Sequence, residues 1–186
     1  KLQTLWLHNH ATSIFAGQLA KEDQEIGSID FRLQLAFTQL GQQILLEKAG
    51  KEYVKILEDS KDSQRSLLAS EEEVFGINHI TLTRECLSSR NLSTTPADIL
   101  AELSSDKSTS KLSHAFRVCK LLAACCGYKS LSEHEKLPAF IQTFGEQLHR
   151  QQWSPSIQEF RSQMQGFKSI LASPPPAHLH EASVAT

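Results

Sequence analysis

The residue types that do chemistry fall into a few small groups, and their spacing argues against most reactions. His8-Asn9-His10 spells HNH, and His178-Leu179-His180 repeats the arrangement near the end. On a helix, residues two apart point about 200° away from each other, so neither histidine pair can share a metal. Glu71-Glu72-Glu73 is the densest acidic run. Three neighbours on a helix fan over most of its circumference, so a catalytic carboxylate pair is not expected. The run is read as a solvated face, with a basic partner surface as the functional alternative. Ser132-Glu133-His134-Glu135 comes nearest to a helical metal-ligand pattern, but it sits where a helix cap is expected.

The four cysteines are Cys86, Cys119, Cys125 and Cys126. A catalytic thiol needs a lowered pKa, from a helix N-terminus or a nearby histidine. Cys125 and Cys126 are placed instead at a helix C-terminus, where the dipole disfavours a thiolate. A zinc site would need a CxxC pair or spaced His and Cys partners. Adjacent cysteines on an apolar helical face read as buried thiols in a reducing compartment. There is no GxxxxGK, GxGxxG or GxSxG. No catalytic residue, cofactor or metal is therefore expected. Asn91-Leu92-Ser93 fits a glycosylation sequon, which matters only in a secreted protein.

The elements that would position these groups are helical. Leu2, Leu5, Trp6, Leu7, Ile14, Phe15 and Leu19 predict a helix over about 2–20. A broad apolar helix follows over 30–49, with Gly50 just past its end. Residues 51–75 read either as one long helix or as two. The cap-forming run Asp59, Ser60, Asp62 and Ser63 favours a break. Residues 77–87 alternate at Ile80 and Leu82 and read as a short helix or an extended connector. Thr95-Pro96-Ala97-Asp98 predicts a capped start, with Thr95 as N-cap and a helix to about Leu103. Further helices are expected over 111–126, with Gly127 past its end, and over about 137–151. The last begins at Ser154-Pro155 and carries Ile157, Phe160, Met164, Phe167 and Leu171 as a heptad seam. The expected fold is all-α, a bundle or short helical-hairpin array of about seven or eight helices. A single helical domain is expected over 1–172, and 173–186, which contain Pro174, Pro175 and Pro176, are read as a disordered tail or linker.

Composition narrows the function. Of the 186 residues 40% are hydrophobic and 22% charged, and the net charge is -2, the balance of a soluble globular protein. Basic residues do not gather into a nucleic-acid surface, and no apolar run is long enough for membrane insertion. The first residue is Lys1, which is read as a processed product or a piece of a larger protein. The leading expectation is a non-catalytic helical protein–protein interaction or scaffold module of a larger intracellular, cytoplasmic protein. Its partners would be other proteins. A secreted helical-bundle signalling factor is the alternative. The candidate partner-binding residues are Trp6 and the seam Ile157, Phe160, Met164, Phe167 and Leu171. Such a seam is usually core, and becomes a partner surface only if its helix is left free.

Overall fold

The three-and-four spacing of apolar residues resolves into helix throughout. The computed structural model describes residues 1–22, 31–62, 66–105, 110–128 and 154–172. Among these are eight helices and no strand: α1 Leu2–Glu22, α2 Phe31–Phe37, α3 Leu40–Asp62, α4 Leu67–Phe75, α5 His79–Ser88, α6 Thr95–Ser104, α7 Lys111–Cys125 and α8 Ser154–Ala172. The fold is all-α. The helix expected over 137–151 and the tail lie outside the described residues.

α1 is the organising element. Leu5, His8, Ala11, Thr12 and Phe15 follow one helical stripe and are all buried. The stripe lets α1 pack against α7, α2, α8 and α3. It serves two cores. The larger gathers Ala11, Ile14 and Phe15 of α1 with Phe31 and Leu35, Ile99, Phe116 and Cys119, and Phe160 and Met164. The smaller centres on Leu5, Leu45, Tyr53 and Leu57.

Three boundaries differ from the pattern of the sequence. The helix expected over 30–49 is interrupted at Thr38-Gln39. The Thr38 hydroxyl and its own N–H both donate to the Leu35 carbonyl, at 2.7 and 3.1 Å. A side chain that competes for backbone carbonyls in this way ends α2. Gly50 does break the helix as expected, with φ 49° and ψ -110°, a positive-φ step that glycine tolerates, but no connector follows it: the next helix starts at once, so Leu40–Asp62 runs as one element, α3, kinked at Gly50. Finally, α6 is preceded by Thr94 at the cap position, not Thr95. Thr94 makes no side-chain cap bond and instead donates to Asp98 at 3.3 Å.

The alternatives left open elsewhere resolve to helix. α3 stops at Asp62, and α4 restarts behind Ser66, whose hydroxyl accepts from the Ala69 N–H at 3.2 Å. Residues 79–88 form α5, capped by Asn78 accepting from the Thr81 N–H at 2.9 Å. Its buried residues are Ile80, Thr83 and Leu87, spaced three and four, which the alternation of Ile80 with Leu82 obscures.

α5 lies very close to the start of α3. A Cβ on Gly41 would stand 2.0 Å from the His79 carbonyl oxygen, so only glycine fits that crossing. Thr83 bridges the same point, accepting from the Gly41 N–H at 2.9 Å and donating to the His79 carbonyl at 2.8 Å. One orphan N–H of the first turn of α3 is thereby satisfied.

Candidate functional site

The sequence-predicted residues divide once the helices pack. Phe160 and Met164 are 2% and 1% exposed and belong to the larger core. The Phe160 ring stacks on Phe15 at 4.7 Å and meets Tyr128 edge-on at 5.8 Å. Burial of side chains this size contributes about 2–3 kcal/mol each, which is what docks α8. No partner reaches these two without moving that helix. Leu171 is half-buried, and Ile157 lies in the first turn of α8.

Trp6 and Phe167 behave differently, and the fold brings them to one place. Trp6 is 38% exposed and Phe167 is half-buried. Together they line an open groove of about 240 Å³, with Asn9, His10 and Ser13 of α1, Ala36 of α2 and Gln43 of α3. Asn9 donates to the Ala36 carbonyl at 3.0 Å, tying α1 to a last-turn carbonyl of α2 that needs a partner. Ser13 donates to the His10 carbonyl at 2.9 Å. The His10 ring stacks on Phe167, with centroids 4.1 Å apart and planes at 25°. Burial, and then the Arg32 guanidinium, hold the His10 pKa below its ordinary value. The groove therefore presents an aromatic wall, a histidine biased toward its neutral form, and amide and hydroxyl groups. Among the described residues its lining carries no acid.

The polar lining was not anticipated, although its signal was present. Trp6, Asn9, His10 and Ser13 stand at i, i+3, i+4 and i+7, one strip of α1 beside its apolar stripe. His8 and His10, paired by sequence, serve different ends. His8 is buried and donates from Nδ1 to the Tyr128 carbonyl at 2.8 Å.

The acidic run holds the main correction. Glu71 is not on a solvated face: it is 0% exposed. Its carboxylate accepts from the Tyr53 hydroxyl at 2.6 Å, the His79 N–H at 2.9 Å and His79 Nδ1 at 2.7 Å. Burial, then the nearby Glu71 charge, push the Tyr53 pKa far up, so its proton stays in place as a donor. Three donors satisfy this buried carboxylate. Tyr53 and Glu71 are both sealed from solvent, so the cluster pins α3, α4 and α5 together rather than meeting a substrate.

Other candidates are spent in similar ways. Burial pushes the Cys119 thiol up to about 12, where it is no nucleophile at neutral pH. Among the described residues no three His, Cys, Asp or Glu side chains stand together as metal ligands. A second groove, about 360 Å³, lies between α4, α5 and α6. Two of its polar residues are already engaged: Arg84 pairs with Asp98 at 3.0 Å, and Asn78 caps α5 and donates to Glu72 at 2.6 Å.

Comparison with protein families matches the HDOD domain over residues 1–104. The chain belongs to the HDOD family. The HDOD match spans α1 to α6. It includes the whole Tyr53–Glu71–His79 cluster and every groove residue except Phe167. Neither the curated proteins nor the solved structures contain a match. Among the described residues no helix is long and apolar enough to cross a membrane.

Proposed function

We propose that this HDOD chain is a non-catalytic helical interaction module of a larger intracellular protein, and that it receives a protein partner in the Trp6–Phe167 groove. The observation that carries the reading is the meeting of two partly exposed aromatic rings from opposite ends of the sequence in one open groove. Large aromatics in such settings dominate binding energy. The polar groups around them supply orientation without a reactive constellation. The buried state of Glu71 and Cys119 supports the non-catalytic part. The free thiols of Cys86 and Cys119 support a reducing compartment. A core shared by Phe15, Phe116 and Phe160 supports one domain running from 1 to 172.

The test is selection of peptides from a random display library on the folded chain, followed by binding to a Trp6→Ala variant. A tryptophan at the centre of an interface is worth about 2 kcal/mol or more, roughly thirtyfold in affinity. Selected peptides should lose about that much on Trp6→Ala while circular dichroism stays unchanged. Peptides that bind both chains equally would remove the groove from consideration.

A further inference from the structure

α7 gives its apolar side to the core. Ala115, Phe116, Cys119 and Ala123 are buried where it packs on α1 and α6. The outer side carries Lys111, His114 and Arg117, all exposed, and Lys120, half-buried with its ammonium 5.7 Å from the Phe116 ring centroid. Lys111–Cys125 contains no Asp or Glu. Three full positive charges therefore line one helix face over about 14 Å. Val118, 37% exposed, and Leu121, half-buried, stand among them. Helix stability does not account for this placement. A helix favours acids in its first turn and bases in its last, whereas α7 starts at Lys111, with no acid in the first turn and no base in the last. The fold does not use the middle of the face either: among the described residues neither His114 nor Arg117 meets a carboxylate.

We propose that this face of α7 docks an acidic amphipathic helix of another protein. The surface shares no residue with the Trp6–Phe167 groove and lies outside the residues matched to the HDOD domain, so it is a second interface that stands without the first. Charge complementarity selects the occupant. Bases with a valine and a leucine among them fit a segment that mixes carboxylates with apolar side chains. The apolar contact supplies affinity, and the charges supply encounter rate and register. A nucleic acid fits less well, because the chain as a whole carries a net charge of -2 and repels phosphates everywhere but here. A membrane surface takes up the apolar side of an amphipathic helix, and α7 has buried that side.

The experiment selects peptides from a display library of helical sequences on the full chain, then measures each on Arg117→Glu, Arg117→Lys and Trp6→Ala chains. An acid-rich class should emerge whose affinity falls about tenfold on Arg117→Glu, because reversal replaces the attraction of an exposed pair with repulsion. The same class should survive Arg117→Lys, ignore Trp6→Ala and weaken as salt rises. Circular dichroism follows folding, and His114→Glu is a second reversal on the same face should Arg117→Glu melt early. A library that yields no acid-rich peptide sensitive to either reversal overturns the proposal; peptides that respond only to Trp6→Ala belong to the groove and count as none for this face. Tighter, Arg117-dependent binding of a single-stranded DNA oligonucleotide or of phosphatidylserine vesicles also overturns it, since the face would then serve a nucleic acid or a membrane. So does self-association in sedimentation that Arg117→Glu abolishes, since the occupant would then be a second copy.

Discussion

Gly41→Ala separates two forces that act with opposite sign. On helix propensity alone the change stabilises by about 1 kcal/mol. At this site the new methyl would lie 2.0 Å from the His79 carbonyl oxygen and 2.8 Å from the Thr83 hydroxyl. Cβ contacts under 3.0 Å are essentially never seen, so α3 and α5 must part by at least the 1.0 Å difference. Overpacking of this kind costs about 1–3 kcal/mol. The displacement also breaks the buried bond from the Gly41 N–H to Thr83, worth about 1–3 kcal/mol when a partner is left unsatisfied. With the propensity gain set against these, the net loss is about 3 kcal/mol. At about 2–4 °C per kcal/mol for a chain of this size, the melting temperature falls by about 6–12 °C. Gly166→Ala in α8 is the control, since nothing lies within 4 Å of a Cβ there. It should gain up to about 1 kcal/mol. Urea unfolding followed by far-ultraviolet circular dichroism measures both. A Gly41→Ala chain as stable as the parent would refute the close crossing of α3 and α5.

Two further outcomes follow from the polar groups. Glu71→Ala strands the Tyr53 hydroxyl and the His79 N–H in a dry interior and should cost about 3–5 kcal/mol by urea unfolding, against about 1–2 kcal/mol for Tyr53→Phe; equal costs would show that the carboxylate is not the hub. His10 has a folded pKa below its ordinary 6.5, so the unfolded chain takes the proton first. Its contribution is flat above that value and stability falls as pH drops through it. In His10→Asn this slope should shrink over the same window, and an unchanged slope in melting temperature against pH would exclude His10 as its source.

Much of the helical framework was legible in the residues themselves. Ile14, Phe15 and Leu19, or Phe160, Met164 and Phe167, repeat every three or four positions, and that period is a property of one segment. The start of α7 near Lys111 was legible in the same way, but its cap was not: the structure shows the Ser110 hydroxyl accepting from the Ser113 N–H at 3.2 Å. Thr38 was harder, since its bond back to Leu35 competes with a helix that propensity alone would continue. The candidate groove was half legible. Trp6 and Phe167 stood out as large aromatics, but nothing in the chain said that Phe167 would reach the surface while Phe160, one heptad earlier, would not.

The division has a physical cause. Helix periodicity, capping and composition are local, so the order of residues alone determined an all-α protein. Burial depends on what another segment brings. Glu71 reads like its neighbours Glu72 and Glu73 until Tyr53 and His79 arrive from other helices to satisfy its carboxylate. Phe160 reads like Phe167 until Phe15 covers one and His10 only partly covers the other. Which acid is core and which aromatic is surface were therefore decided by the packing of α1 against α8 and of α3 against α4 and α5, contacts that no single stretch of sequence contains.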